Sequence, residues 1–428
     1  MSASASGRWV TRVIASSIGT LGLPLCAQAA PLELVLKLDI SSGYESNPFQ
    51  QPEEAAPASG AASSAAATPR ATRRHAQTAE GAVVVPLASD DSRLALSGRI
   101  GRQRFDPISE LDHQQTEVDG RLQWRFGPLL QAALRQTASR LPYAFQDGSY
   151  LKLDMTERHS RSAELTLQPT PALSLPLSVQ QQSLRHDDRA THGVLDRKEQ
   201  QASLALRWRS PTRSELQLGC MMVEADFPRR TPEQIAALDS GWTERQVFAS
   251  ADWQYSVKTR LSGRIAQVRR EHPARTERNT QLVSRTLRLT HQPSPMSRLE
   301  LELWRQPKDT EDPSTLTSLS RGFRLSAAWQ PSDFARMALA YGDERQRYDP
   351  ALSSAATGAT LGRTRSLGWR LQYQLSRDLS AQMELGRERQ SRSTFSSDIT
   401  QSVLRLSLSY SFENLAGGLQ RSGLGAWP

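Results

Sequence analysis

Hydrophobic and polar residues alternate in short stretches of this 428-residue chain, most clearly from Val403 to Phe412. This stretch reads V-L-R-L-S-L-S-Y-S-F, with leucines and aromatics at one parity and arginine and serines at the other. A period of two predicts a strand with one apolar and one polar face. The length suits a tilted strand that crosses a hydrocarbon core, which takes about 9–11 residues. An aromatic ends the apolar face, as in strands that meet a membrane interface.

Similar stretches recur along the chain from Leu32–Ile40 onward, joined alternately by short turns and long polar loops. Pro, Gly, Ser and Asp dominate the short turns, as tight turns require. The short turns are predicted at 89–92, 127–128, 169–171, 210–213, 256–259, 292–295, 330–333 and 376–378. The long loops are predicted at 41–80, 106–113, 140–156, 186–198, 225–242, 271–280, 307–318, 348–363 and 391–398. Together they predict eighteen strands, with both chain ends on the short-turn side.

An even number of strands with loops sorted by length is typical of an outer-membrane barrel. The expected fold class is therefore all-β, a transmembrane antiparallel barrel of about 18 strands (16–18) over residues 30–412, followed by a C-terminal tail at 413–428. The alternative is a soluble multi-hairpin protein, which would pack one apolar face against a second sheet and would not sort its loops by length. Residues 51–78 are rich in Ala, Ser, Pro and Thr, so we expect a mobile loop there and a return strand at 81–88.

Aromatic residues of apolar parity recur where strands reach the short-turn side, which predicts an interfacial girdle. The girdle candidates are Trp124, Phe126, Trp208, Trp253, Tyr255, Trp329, Trp369, Tyr373, Tyr410 and Phe412.

The opposite parity predicts the lumen, because a charge that faces lipid at mid-depth costs about 2–4 kcal/mol. The lumen candidates are Asp119, Arg121, Gln123, Arg125, Arg207, Asp252, Gln254, Arg264, Arg288, Glu300, Glu302, Arg324, Arg370, Gln372, Gln374, Glu384, Glu388 and Arg405. They could form ion-pair ladders, with Arg288 or Arg324 pairing Glu300 and Glu302, and Arg370 or Arg405 pairing Glu384 and Glu388. They could also line a hydrated passage for a polar polymer, and both interpretations can hold together.

The bulk composition narrows the class of protein. A hydrophobic content of 38% and a mean hydropathy of −0.53 exclude a bundle of transmembrane helices. Residues 1–29 combine Arg8 and Arg12, an apolar run and Ala27-Gln28-Ala29, which predicts a secretory signal peptide; a helix of the mature fold is the alternative. Cys220 is then the only mature cysteine, so no intrachain disulfide is expected.

The net charge of +9 does not indicate a nucleic-acid partner, because basic residues are spread along the chain without a recognition motif. A path for acidic solutes is a further interpretation.

No catalytic constellation emerges, so we expect no enzyme, no cofactor and no metal site. His113, His186, His192 and His272 fall in or beside long loops. His186-Asp187-Asp188 with His192 could suggest a metal, but a solvated loop is the favoured interpretation.

Three segments carry a resemblance to a known family. They are S-G-Y-E-S-N-P-F at 42–49, the segment 99–135 with R-I-G-R-Q-R-F-D and D-G-R-L-Q-W-R-F-G-P, and D-W-Q-Y-S-V-K-T-R-L-S-G-R-I at 252–265. They resemble EpsL-type outer-membrane barrels of exosortase-associated exopolysaccharide clusters, over roughly 32–412. Two features differ: Glu45-Ser46-Asn47 replaces the usual Asp-Asn, and sixteen residues follow Phe412.

The resemblance implies a role in exporting an exopolysaccharide across the outer membrane of a Gram-negative bacterium. The implied partners are outer-membrane lipid, the polysaccharide chain and periplasmic or inner-membrane export machinery. A general or small-solute porin and a surface structural or adhesion barrel are the two alternatives.

Overall fold

A computed structural model describes residues 32–50, 71–87, 92–143, 152–308, 315–350, 360–392 and 398–414. The predicted signal peptide lies outside the described residues, as do positions 51–70 of the predicted mobile loop and the chain after Asn414.

Eighteen strands of 12 to 16 residues make up most of the described chain. In chain order they are β1 Glu33–Ser46, β2 Ala71–Pro86, β3 Arg93–Asp106, β4 His113–Phe126, β5 Leu130–Pro142, β6 Met155–Thr170, β7 Leu173–His186, β8 Arg197–Arg209, β9 Glu215–Asp226, β10 Gly241–Gln254, β11 Thr259–Glu271, β12 Thr280–Ser294, β13 Ser297–Lys308, β14 Thr315–Trp329, β15 Ala335–Pro350, β16 Thr360–Gln374, β17 Leu379–Arg392 and β18 Ile399–Asn414.

The strands form one closed antiparallel sheet. Each strand pairs with the next along the chain, and β18 returns to pair with β1 from Leu34↔Asn414 to Glu45↔Val403. Closure leaves no open edge of unpaired backbone groups, which a hydrocarbon environment would not tolerate. The predicted all-β barrel of eighteen strands is confirmed.

The strands reach further on the long-loop side than their hydrophobic pattern indicates. β1 continues to Ser46, and β2 begins at Ala71, directly opposite it. The mobile loop predicted over 51–78 is therefore wrong for residues 71–78, which are strand. Arg73, His75 and Gln77 occupy the apolar-parity positions there, so this part of the strand had no amphipathic signature. At the other end, Glu413 belongs to β18, so the predicted tail began too early.

Large apolar side chains lie on the outside of this sheet. Leu36, Leu38 and Ile40 of β1 are 46%, 55% and 62% exposed, and they lie opposite Phe412, Tyr410 and Leu408. Lys37, Asp39 and Ser41 alternate with them and point the other way. The one buried apolar cluster found in the described part of the chain is small and lies among long-loop residues: Phe49, Ile108 and Leu111, with Phe105 and Leu153 against it.

In the part of the chain that the structure describes, helical structure is confined to the loops. The longest helix, Pro232–Leu238, starts with a capping box in which Thr231 and Gln234 satisfy each other's backbone N–H groups. Within the described residues, no helix has the length and apolar character needed to cross a membrane.

Candidate functional site

The cross-strand register places all the predicted lumen residues on the polar face of the sheet. The thirteen principal candidates on this face are Arg121, Arg125, Arg207, Arg264, Arg288, Glu300, Glu302, Arg324, Arg370, Gln372, Glu384, Glu388 and Arg405. The aromatic candidates Trp124, Phe126, Trp208, Trp253, Tyr255, Trp329, Tyr373 and Phe412 share the parity of the outer face and lie towards the short-turn ends of their strands.

A three-residue ion-pair ladder crosses β16, β17 and β18. Glu384 lies between Arg370 and Arg405 in register, with N···O distances of 3.0 Å and 3.5 Å. Each side chain is about 30% exposed, so the pairing is of the solvent-screened kind.

A second group of charges on β12–β14 pairs only partly as predicted. Arg288 contacts Glu302 at 3.0 Å. Glu300 instead pairs with Arg298 of its own strand, because its cross-strand neighbours are Thr290 and Ser326. Pairing of Glu300 with Arg288 or Arg324 is therefore wrong.

Glu388 also departs from its predicted pairing. It accepts a hydrogen bond from Gln390 Nε2 at 2.6 Å and lies opposite Ser366 and Gln401. No arginine occupies either cross-strand position, so the register gives it an amide partner in place of a charged one.

The short-turn end of the lumen contains a basic recess of about 400 Å³ between β3 and β6. Arg93, Arg121 and Arg125 line it together with Gln123 and Glu164. Arg93 Nε donates to Gln123 Oε1 at 2.7 Å. Its guanidinium and amide groups are donors of the kind that hydrogen-bond anionic or hydroxyl-bearing groups.

At the opposite end, the long loops form an ordered layer around buried aspartates. Asp239 has no solvent exposure, and its carboxylate accepts from the N–H groups of Ser240, Ala274 and Arg275 at 2.7–3.0 Å. Because Ala274 and Arg275 belong to the next long loop, Asp239 ties neighbouring loops together.

Two histidine–aspartate contacts stabilise the two long loops that come earlier in the chain, around Asp154 and around 186–197. His186 is 2% exposed, and its Nδ1 lies 3.1 Å from Asp196 Oδ1. His192 Nδ1 lies 2.8 Å from Asp154 Oδ2. The solvated-loop interpretation of His186 and His192 is therefore wrong: these rings belong to a packed polar layer. No group of three or more metal-ligating side chains occurs within the described part of the chain.

Burial perturbs two basic groups in this layer. The Cζ atom of Arg230 lies 3.5 Å from the centroid of the Phe227 ring, and its guanidinium donates to the carbonyl oxygens of Val194, Leu238 and Asp239. Burial, and then the positive charge of Arg278, lowers the pKa of Arg230 to about 10. Burial, together with the charges of Arg278 and Arg270, lowers the pKa of His272 to about 4. Both shifts follow from the cost of a charge in a poorly hydrated site.

Sequence reasoning missed the loop aspartates because several of their partners come from neighbouring loops, as with Asp154 and Asp239. A signal was nevertheless present. An Asp or Asn lies just before several strands that descend from long loops, at Asp112, Asp154, Asp196, Asp239, Asn279 and Asp398. In three of these loops its side-chain oxygen accepts the backbone N–H of a residue at the end of the preceding strand or directly beside that end: Phe105, His186 and His272, at 2.7–2.8 Å.

Comparison with known proteins yields likeness of fold alone. No protein-family model and no curated protein matches the chain. Among solved structures, OccK9 (OpdG) of Pseudomonas aeruginosa is 11% identical with a TM-score of 0.49, covering 89% of this chain and 98% of that one. OccAB3 of Acinetobacter baumannii is 10% identical, with a TM-score of 0.48 and coverage of 89% and 99%. A mutant of the ferric enterobactin receptor PfeA of Pseudomonas aeruginosa is 11% identical, with a TM-score of 0.46 and coverage of 88% and 80%. Similarity at this level carries no argument about function.

Proposed function

We propose that the protein is an outer-membrane barrel that provides a hydrated passage for a polar polymer, and that the polymer is an exopolysaccharide on its way out of a Gram-negative cell. The observation that carries the proposal is the inversion of polarity. Leucines and aromatics cover the outer face, whereas arginines, carboxylates and amides cover the inner face of a closed eighteen-strand sheet. Barrels of 16–18 strands are wide enough to enclose water.

The chemistry of the inner face favours a sugar chain. Acidic and basic side chains are interspersed, as in the Arg370–Glu384–Arg405 ladder, and amides such as Gln372 lie beside them. A lumen of this kind offers exchangeable hydrogen bonds along its length without one tight site. The resemblance of residues 42–49, 99–135 and 252–265 to EpsL-type proteins supports the choice of polymer, with lipid and the secretion machinery as partners.

A small-solute porin is the second candidate, and the ordered loops favour it. The layer around Asp154, Asp196 and Asp239 brings loop residues together at the long-loop end, and such a layer would select small molecules over a chain.

Deletion of the gene separates the two. For an exporter we expect secreted polymer to disappear while intracellular precursor accumulates, with recovery on expression of the intact gene. Normal secretion in the deletion strain, together with solute uptake through the reconstituted barrel, would show that the protein acts as a porin.

A further inference from the structure

An unusual row of arginines lies on the outer face of the barrel, towards the long-loop end. Arg285, Arg305, Arg321, Arg345 and Arg363 are directly opposite one another in register on five consecutive strands, β12 to β16. They share the face of Leu287, Leu303 and Phe323, which are 41%, 40% and 37% exposed. We call these five residues the arginine row.

Within the described residues, the barrel pairs only the Arg363 end of the row with an acid. On β12–β16, among residues whose side chains are described, Asp343 is the one acid on the outer face, and it is held by Arg363 and by Arg365, the latter at 3.4 Å. Arg285, Arg305 and Arg321 form no ion pair with any described residue. The lumen arginines Arg288 and Arg370, by contrast, each contact a glutamate at 3.0 Å.

Such an arrangement is costly without an external anion. Like charges directly opposite each other in an antiparallel sheet destabilise it, and here four successive cross-strand pairs are Arg–Arg. A multivalent anion placed against the row would reverse the sign of this interaction. Arginine also matches phosphate geometrically, because its planar guanidinium donates two parallel hydrogen bonds.

The depth of the row indicates where that anion lies. Ten residues separate Arg363 from the girdle candidate Tyr373 on β16, which is about 33 Å along the strand and about 25 Å along the barrel axis at a tilt of about 40°. That span equals the usual height of the apolar band on such barrels, about 25 Å. The intervening outer positions are Arg365, Leu367, Trp369 and Leu371. The β16 end of the row therefore lies at the headgroup level of the leaflet on the long-loop side, which is the outer leaflet. Because the strands tilt, the row descends towards β12: Arg321 is eight residues from the girdle candidate Trp329 on β14, about 20 Å along the axis on the same basis. A long arginine side chain can extend from this depth towards the headgroups.

We propose that the arginine row is a binding site for the phosphate groups of an outer-leaflet phosphoglycolipid, the lipid A portion of lipopolysaccharide. The proposal rests on the membrane placement argued above but not on passage of a polymer. Apolar side chains just below the row, such as Leu287 and Leu303, contact the acyl chains, while the guanidinium groups engage the phosphates. A lipid with two phosphates can bridge neighbouring arginines and neutralise several strands at once.

The test compares two triple variants of the full chain in a zwitterionic detergent. The first, Arg285→Gln/Arg305→Gln/Arg321→Gln, removes the centre of the row. The matched control, Arg102→Gln/Arg161→Gln/Arg185→Gln, removes three outer-face arginines that are not cross-strand neighbours of one another. Folding of each variant is checked by β-sheet circular dichroism and by the shift in gel migration on heating.

Lipid binding is counted by native mass spectrometry with lipid A that carries both phosphates and with the same lipid after enzymatic dephosphorylation. Each arginine near an anionic lipid is worth about 1 kcal/mol, or roughly fivefold in affinity. Wild type should prefer the phosphorylated lipid, and the row variant should lose about 100-fold in affinity for it, because three clustered arginines act on the same lipid. The control arginines are not cross-strand neighbours and do not share one lipid, so the control should lose no more than about fivefold at any one site.

Equal binding of both lipids by wild type, or equal losses in both triple variants, would overturn the proposal. It would also be overturned if the row variant kept its lipid affinity but lost affinity for a soluble acidic polysaccharide, since the row would then be a polymer contact. A chain that fails to insert in the outer membrane at all would instead contradict the proposed membrane function.

Discussion

Substitution of Leu408 in the closing strand is the sharpest probe of which face of the barrel meets lipid. Leu408 is 44% exposed and lies opposite Ile40 of β1 and Ala381 of β17. Four residues separate it from the girdle candidate Phe412, about 13 Å along the strand and about 10 Å along a tilted barrel axis. It therefore lies close to mid-depth of the apolar band.

An arginine at this depth carries a calculable penalty. A lipid-facing arginine near the bilayer midplane costs about 2–4 kcal/mol. The lost contact of the outward part of the leucine with hydrocarbon adds about 1 kcal/mol. Leu408→Arg should therefore reduce the folding equilibrium constant by more than 100-fold, since about 1.4 kcal/mol is a factor of ten. The substitution should impair closure of the barrel in particular, because Leu408 lies on β18, which must pair with β1 to complete the sheet.

Ser407→Arg is the matched control. Ser407 is one residue away, lies opposite Ser41 and Gln382, and points into the polar lumen. Its substitution should change the free energy of folding by less than about 1 kcal/mol, as for an exposed charge. Urea titration of each variant in lipid vesicles, followed by gel migration with and without heating, measures the difference. Equal destabilisation by the two substitutions would refute the face assignment.

Three further perturbations test other parts of the structure. A Cβ atom at Gly43 would lie 2.5 Å from the Leu404 carbonyl oxygen where β18 meets β1, whereas one at Gly368 would meet nothing within 4 Å. Gly43→Val should therefore slow assembly in a pulse-chase assay, while Gly368→Val should assemble normally. Equal assembly rates would contradict the geometry of the β18–β1 contact. Between its usual pKa of about 6.5 and its lowered pKa of about 4, His272 takes up a proton when the long loops open but not while they are packed. The packed loops should therefore lose up to about 3 kcal/mol of stability as pH falls through that window. Proteolysis within 227–240 and 272–279 should increase at pH 4.5 relative to pH 7, and a His272→Gln protein that keeps the same pH dependence would rule this out. Glu384→Gln breaks two screened ion pairs, each worth about 0–1 kcal/mol, so secretion should fall only partially, and its complete loss would show that Glu384 does more than pair with Arg370 and Arg405.

Most of the barrel follows from local rules that the sequence displays. A lipid-facing strand must alternate, so segments such as Val403–Phe412 and Arg121–Phe126 reveal both their strands and their faces. Short turns need special residues, and Gly127, with φ of 60°, occupies such a turn. Because strand pairing is sequential, alternation and turn positions were enough to place the lumen residues on one face.

The parts that escaped prediction depend on contacts between segments distant in sequence. Ala71–Gln77 form strand because β1 offers backbone partners there, not because the segment is amphipathic. The buried state of His186 depends on Asp196 and a neighbouring ring, Tyr143, whose centroid is 5.1 Å away. The arginine row was also invisible, because only the register shows that arginines of five different strands are cross-strand neighbours.

Obstruction of the lumen from within tests polymer passage most directly. The native Cys220 is exposed and is first replaced by serine; Ser407→Cys then places a single thiol on the lumen face. Cells that make this protein are treated with a maleimide bearing a bulky polar chain, labelling is verified by mass spectrometry of the isolated barrel, and secreted polymer is measured against cells carrying Cys220→Ser alone. Secretion should fall in proportion to the labelled fraction and stay unchanged in the control cells. Complete labelling at position 407 with undiminished secretion would contradict passage of the polymer through this barrel.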